Sequence, residues 1–278
     1  MKIAVNNIDK KLRVELSRIS KIVDINSSPR GVFIEWVADG DLFEKQTIII
    51  DKCVKEKIPM IVFDRYQKIL PEEISFLVSQ GAFLWEPSVA GRMFFSYQPC
   101  WGYFRKSGDI PLIDKIDGID LVYMSSLSKK ISTFQKYYKP VSDIGDFKVV
   151  YVDKDNNDVV NRKVSEMGID IIGRDDKISK KSVILLGTEH EYQTGILDPQ
   201  LFDYLEAGIL PLLPKEHRWF HSIFDDVVIN NESDVDYFLK TWDKISFGVI
   251  CDIYEKLNLY LPESDVKNVA KRIIKYFS

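Results

Sequence analysis

Two hundred and seventy-eight residues are too many for one minimal core and suit two domains of ordinary size. Hydrophobic residues at 45% and charged residues at 29% are globular proportions that exclude a disordered chain, and fourteen scattered Gly with eleven Pro exclude collagen-like or Pro-rich architecture. A formal net charge of −4 counts against a protein that lives on nucleic acid.

The charge is unevenly divided: residues 1–115 carry 17 basic and 15 acidic side chains, and residues 116–278 carry 21 and 27. Apolar runs such as Val183 to Leu186 fall far short of the roughly 18–20 residues a membrane helix needs, so no membrane insertion is expected. The opening MKIAVNNIDKK reads as a first strand and not as a signal peptide. Cys53, Cys100 and Cys251 are odd in number and widely spaced, which argues for a reducing cytoplasm over a disulfide framework or a zinc knuckle.

In chain order, strands are expected at Lys2 to Val5, Gly31 to Val37, Pro59 to Phe63 and Ala82 to Trp85. PMIVF has no alternation, the mark of a strand covered on both faces. Leu42 to Glu56 and Pro71 to Gln80 read as helices, the second with Pro at its start, Glu72 and Glu73 in its first turn and Gly81 past its end. The second half repeats the rhythm, with strands at Ile119 to Met124, Lys148 to Val152, Ile169 to Ile172, Ser182 to Leu186, Ile209 to Leu213 and Val227 to Ile229. Helices fall between: the stretch to Tyr138, Val159 to Met167 and Pro199 to Ala207. The last 45 residues read as helices at Ser233 to Asp243, Ile250 to Leu257 and Ser264 to Phe277, with Ser264 as cap. The expected fold class is α/β: two Rossmann-like, doubly wound domains facing a cleft. The boundary falls in 107–118, giving domains of 1–115 and 116–278.

The most informative stretch is 183–214, VILLGTEHEYQTGILDPQLFDYLEAGILPLLP, a buried strand, a polar loop, a helix from Pro199 and a Gly stop before another strand. Ligands of open α/β sheets bind at the carboxyl ends of strands, where helix N-termini favour phosphate. One turn into that helix, the Asp203 carboxylate could accept both hydroxyls of a ribose, or simply be a solvated helix residue. FDYLEAGILPLL resembles the segment of GT-B glycosyltransferases in which an acidic residue lies five positions before the Gly of a helix stop. The resemblance implies that Asp203 binds the ribose of a nucleotide-sugar donor. The family often places a Glu eight residues upstream, where this chain has Gly195, with Glu191 and Thr194 close by. DLVYMSSLSKK is similar to the start of the family's C-terminal domain, which implies that Ser125, Ser126, Lys129 and Lys130 meet the donor diphosphate.

The segment 87–108, PSVAGRMFFSYQPCWGYFRKSG, has no acidic residue, three cations (Arg92, Arg105, Lys106) and six aromatics. Aromatic faces interleaved with cations suit stacking beside phosphate, so Arg92, Trp101, Arg105 and Lys106 are the acceptor-binding candidates; an aromatic-rich filler of the interdomain cleft is the alternative. Inverting transfer needs a carboxylate to take the acceptor proton. Glu35, Asp39 and Asp41 follow the second strand, Asp64 and Arg65 the third, and Asp39 and Asp41 are the catalytic candidates. His217 and His221, four apart, and His190 between two glutamates do not form an HExxH motif, so no metal ligands are assigned. Dependence on a divalent metal and the oligomeric state stay open.

The resemblance implies a nucleotide-sugar-dependent glycosyltransferase with no tightly bound cofactor, the donor serving as co-substrate. Lys-, Ile- and Asp-rich composition suggests a phage or AT-rich bacterial chain, cytoplasmic and in the host cytoplasm if phage-encoded, and phages of the T-even kind use GT-B enzymes to glycosylate hydroxylated cytosines in double-stranded DNA. Hydroxylated cytosine in phage DNA is therefore one expected acceptor, ranked just above a cell-surface glycan, with a protein acceptor also open. A two-lobed binding protein is the non-enzymatic alternative. A Rossmann epimerase is disfavoured because no GxGxxG follows the first strand.

Overall fold

The computed structural model describes residues 1–37, 40–110, 119–125, 137, 149–153, 158–166, 168–172 and 180–278. The chain divides into two units, Met1–Tyr103 with Leu261–Ser278, and Phe104–Tyr260. Each is built on a parallel sheet, the arrangement expected from alternating strands and helices.

In the first unit the strands are β1 (Lys2–Asn6), β2 (Lys21–Val23), β3 (Val32–Glu35), β4 (Met60–Phe63), β5 (Ala82–Glu86) and β6 (Ser96–Tyr97). Their order is β2-β1-β3-β4-β5-β6, with the reversal of direction between β1 and β3. Period-two alternation assigns each strand residue to a face. Ile3, Phe33, Ile61, Phe63 and Trp85 form one core with Leu12 and Leu16 of α1 (Lys10–Ile19). Ala4, Val32, Ile34, Met60 and Val62 form the other with Ile50 and Cys53 of α2 (Gly40–Glu56) and Leu77 of α3 (Pro71–Ser79). Strands buried on both faces explain the continuous apolar runs.

The N-terminal helix α1 has no counterpart in the sequence reading. Its signals are Asp9, whose carboxylate caps the helix by accepting from the Lys11 and Leu12 amides at 2.8 and 3.2 Å, and the Leu12–Leu16 pair one turn apart.

The second unit has strands β7 (Ile119–Ser125), β8 (Val149–Asp153), β9 (Asp170–Ile172), β10 (Lys180–Ile184), β11 (Leu210–Pro214) and β12 (Val228–Ile229). Their order, β12-β11-β10-β7-β8-β9, is the doubly wound 3-2-1-4-5-6 sequence with its switch point between β7 and β10. The described helices are α4 (Asp158–Glu166), α5 (Glu189–Thr194), α6 (Gln200–Glu206), α7 (His221–Phe224) and α8 (Glu232–Tyr260). Two corrections to the expected elements fall here. The polar loop after β10 is a short helix, α5, closed by a capping box in which Thr188 and Glu191 each accept from the other's amide. The two expected helices of 233–257 are the single helix α8, because buried Val235, Leu239, Trp242, Ser246, Ile250, Ile253 and Leu257 make one stripe through Gly248. Packing of that stripe outweighs the roughly 1 kcal/mol that glycine costs a helix.

The last helix, α9 (Val266–Phe277), belongs to the first unit and not, as expected for 116–278, to the second. Its stripe of Val266, Val269, Ala270, Ile273 and Phe277 is buried on the same core as Leu12 and Leu16, each side chain other than that of Ala270 contributing about 1.5–3 kcal/mol. Asp265, accepting from the Lys267 amide at 2.7 Å, caps it in place of Ser264. Arg272 holds it to β6 through the Gln98 side chain at 2.8 Å and Ser96 Oγ at 3.0 Å. The division between units lies at Tyr103–Phe104, twelve residues before the expected boundary, and most of 107–118 lies outside the described residues. Among the described residues, no helix is long and apolar enough to cross a membrane.

Candidate functional site

At the carboxyl ends of the first sheet, polar side chains collect beside the switch point. Glu35 is the last residue of β3 and is only 6% exposed. Its Oε1 lies 2.8 Å from Arg65 Nε, and its Oε2 accepts from the Asp9 amide at 3.3 Å. Arg65, just past β4, lies over the Trp101 ring at 4.6 Å and the Phe63 ring at 5.8 Å. The Trp101 indole donates to Asp9 Oδ1 at 3.4 Å. Burial pushes the Glu35 carboxyl above its usual range, and the Arg65 charge offsets only part of that. This cluster ties together the segments after β1, β3, β4 and β6. Glu35 and Arg65 are therefore not the solvated loop charges that carboxylates and cations after strands usually are.

Asp64 is occupied as a loop cap. Its two oxygens accept from the amides of Lys68 at 2.8 Å and Ile69 at 2.9 Å. Of the two catalytic candidates, Asp41 is exposed in the first turn of α2, and Asp39 lies outside the described residues.

The acceptor-side candidates do not share one environment. Trp101, at 4% exposure, is core, so its ring faces are covered by Arg65 and Phe63 and cannot stack on a ligand. That corrects the expectation for this residue. Its aromatic neighbours in sequence gave no signal of which ring is inside. Arg92 is exposed on a turn held by Glu86, which accepts from Ser88 Oγ at 2.7 Å and packs so near Gly91 that a Cβ there would meet Oε2 at 1.8 Å. Arg105 and Lys106 belong to the second unit; Arg105 donates to the Asp109 carbonyl at 2.8 Å, and Lys106 is exposed.

On the second sheet, an open cleft of about 1010 Å³ lies at the carboxyl ends of β10, β11 and β12. Glu189, Tyr192 and Gln193 of α5 line it, with Lys215, Glu216, Arg218 and Trp219 after β11, His221, and Asn230 after β12. Lys215 and Arg218 are exposed and have no ion-pair partner among the described residues. Trp219, 45% exposed, is fixed by its indole donating to the Gln193 carbonyl at 3.0 Å. Glu216 accepts from the buried Tyr137 hydroxyl at 2.5 Å. The arrangement offers two cations and a flat aromatic to an anionic ligand, residues that the sequence reading passed over. Their signal was the cationic, aromatic run KEHRWFH directly after a buried strand.

Of the donor-side candidates, Ser125 ends β7, and Ser126, Lys129 and Lys130 lie outside the described residues. Glu191 closes the capping box of α5, Thr194 Oγ1 donates to the His190 carbonyl at 2.7 Å, and Gly195 ends α5 at φ +73°, a conformation that favours glycine. Asp203 is exposed on α6. The histidines bond separately: His217, buried against Tyr192, meets the Leu185 carbonyl at 3.3 Å, and His221 the Lys215 carbonyl at 3.0 Å. Asp225, Asp226 and Asp252 lie close enough together for a cation, but Lys256 sits among them, 2.6 Å from Asp252 and 3.7 Å from Asp226, and already supplies positive charge.

No family model and no curated protein matches the chain. Among solved structures, the fold is similar to a glycosyltransferase from Rickettsia africae, with a TM-score of 0.57 at 10% identity over 99% of this chain and 97% of that one. It is also similar to an α,α-trehalose-phosphate synthase (UDP-forming) from Burkholderia xenovorans, with a TM-score of 0.55 at 7% identity over 96% and 76%. These likenesses establish the fold as α/β with two Rossmann-like domains, the GT-B type.

Proposed function

We propose that this protein transfers a sugar from a nucleotide-sugar donor to an acceptor hydroxyl. The observation that carries the reading is the cleft at the carboxyl ends of a 3-2-1-4-5-6 sheet, lined by the unpaired cations Lys215 and Arg218 and by Trp219. Anionic ligands of doubly wound sheets bind at that end. Likeness along nearly the whole chain to a glycosyltransferase and to a UDP-forming synthase supports it.

In this reading the second unit holds the donor. Asp203 receives the ribose hydroxyls, and Ser126, Lys129 and Lys130, which follow β7 in sequence, meet the diphosphate. Asp41, exposed at the start of α2, takes the acceptor proton, with Asp39 beside it in sequence. Glu35 is excluded from that role by its burial and its two bonded oxygens. The acceptor is hydroxylated cytosine in phage DNA or a surface glycan. The exposed cations Arg92 and Lys106 favour the first, and the covered ring of Trp101 removes an aromatic platform from the second.

The test is calorimetric titration with nucleoside diphosphates, followed by hydrolysis of the matching nucleotide-sugar. Saturable binding that Asp203→Ala weakens by about 10- to 150-fold, the range of a charge-assisted hydrogen bond, supports the assignment. Absence of binding by any nucleoside diphosphate overturns it. For the acceptor, binding of duplex DNA should lose about one unit of log–log salt slope with Arg92→Ala. A flat salt dependence for the parent protein removes DNA.

A further inference from the structure

Among the described residues, the two most exposed large apolar side chains are neighbours in sequence, Met93 at 83% and Phe94 at 81%. Side chains that are more than four-fifths in water protrude from the surface and do not line a groove. The turn that carries them, after β5, is tightly built. Gly91–Met93 is one 3-10 turn, closed by the amides of Phe94 and Phe95 donating to the Gly91 carbonyl at 2.9 and 3.1 Å. The Gly91 amide donates to Ser88 Oγ at 2.8 Å, and Ser88 donates in turn to Glu86. Phe95, next in the chain, packs against the core of α2 and α3. With Phe95 turned inward and the base of the turn closed, Met93 and Phe94 are held out in water, where exposed apolar groups mark an interaction surface.

The charges that flank this tip outward are cations. The turn after β4, residues 64–68, is its neighbour, because the Gln67 side chain donates to the same Glu86 oxygen that accepts from Ser88. Asp64 and Glu86, the carboxylates of the two turns, are half-buried and bonded to the chain. Arg92 and Lys68 are exposed, and so is Tyr66, at 60%. Residues 87–108 contain no acidic side chain.

We propose that this tip docks the protein on a bilayer surface that carries anionic headgroups. Met93 and Phe94 enter the headgroup boundary, Tyr66 lies at its edge, and Arg92 and Lys68 meet lipid phosphates. Shape and composition both favour lipid over a protein partner. A stable protein interface takes about 800 Å² from each side, which two protruding side chains and their rim do not supply, whereas a bilayer yields around single side chains. An amphipathic aromatic and cations beside an apolar tip suit the membrane–water interface, where each cation adds to the attraction of anionic lipid. Such docking lies on a membrane and does not span it, in keeping with the lack, among the described residues, of any helix long and apolar enough to cross. Arg92 is also the cation offered to duplex DNA above. Contact with DNA phosphate needs neither Met93 nor Phe94, so the apolar pair separates the two uses. The proposal is independent of the nucleotide reading, which concerns the other unit.

The test is flotation of the full chain with vesicles of phosphatidylcholine and phosphatidylglycerol in equal parts, and with vesicles of phosphatidylcholine alone. The parent should bind the mixed vesicles, and the neutral ones more weakly. Met93→Ser and Phe94→Ser should each weaken binding to mixed vesicles by about tenfold. Their melting temperatures should match the parent's, because both side chains are exposed. Arg92→Gln should weaken binding to mixed vesicles by about fivefold and leave binding to neutral ones unchanged. In Phe94→Trp the added indole should shift its emission to the blue when mixed vesicles are supplied. Flotation with neither vesicle overturns the proposal. Flotation that Arg92→Gln reduces and Phe94→Ser leaves intact also overturns it, since that is the behaviour of a phosphate-binding strip without an apolar tip. A parent that sediments as a dimer, and that Met93→Ser and Phe94→Ser convert to monomer, would give the tip to a second copy of the chain and overturn it as well.

Discussion

Arg65 and Glu35 form an ion pair with Nε 2.8 Å from Oε1, at side-chain exposures of 10% and 8%. A pair removed from water is unequal in its two halves. Burial raises the Glu35 pKa despite the guanidinium, so charge on this carboxylate is disfavoured relative to the unfolded chain. Arg65 also covers the Trp101 face, which nothing else in the cluster could replace.

The two halves should therefore respond differently to mutation. Arg65→Met should cost about 3–5 kcal/mol, because it leaves a buried carboxylate without its cation. Glu35→Gln should cost under about 1 kcal/mol at neutral pH, since the neutral side chain avoids the burial penalty that Arg65 does not fully offset. With the folded pKa above 4.5, the contribution of Glu35 is fully present below the unfolded value and is lost as pH rises through the folded one. Urea unfolding from pH 7 to pH 4.5 should show the parent gaining on Glu35→Gln as pH falls. The opposite trend would mean that the ion pair dominates over burial.

Gly31 and Phe277 are a second coupled pair. A Cβ on Gly31 would lie 2.1 Å from the Phe277 ring. Gly31→Ala should cost about 1–3 kcal/mol by overpacking. Phe277→Ala should cost about 3–5 kcal/mol through the cavity it leaves. In the double variant the methyl enters vacated space, so the summed loss should exceed the measured one in a thermodynamic cycle. Simple additivity would show that α9 can shift away from Gly31 without penalty.

Thiol labelling should separate the three cysteines. Burial, helped by Glu56, pushes the Cys53 thiol up to about 11, which leaves about one thiolate in a thousand at pH 8. Cys100 is buried as well, whereas Cys251 is partly exposed. Ellman's reagent should modify Cys251 first, and Cys53 and Cys100 only as the first unit unfolds. Rapid labelling of Cys53 in native protein would show that α2 opens locally.

The cleft of the second unit should depend on its cations. Lys215→Ala and Arg218→Ala should each weaken nucleoside diphosphate binding by about 5- to 10-fold, with melting temperature nearly unchanged because both side chains are exposed. Binding by the parent that both variants retain in full would move the diphosphate to the residues that follow β7 in sequence.

Much of the fold was readable from local pattern. The uninterrupted runs PMIVF and SVILL announced strands covered on both faces, and Pro71 with Gly81 bracketed α3. These signals are local because backbone conformation and two-sided burial act on neighbouring residues. Asp41, expected in a loop before the helix, is instead in the first turn of α2, which begins at Gly40, and is exposed there. Which charges would be taken inward was decided by tertiary structure alone. Glu35 ends β3 and Arg65, thirty residues later, lies just past β4, and only the β3–β4 pairing brings them together under Trp101. The sequence determined that α9 would be an amphipathic helix, but nothing in Val266 to Phe277 says which sheet its apolar stripe covers. Hydrophobic attraction is non-directional, so the choice of partner rests on shape: Gly31 leaves room for the Phe277 ring, and Arg30 and Arg272 bond the helix to the first unit.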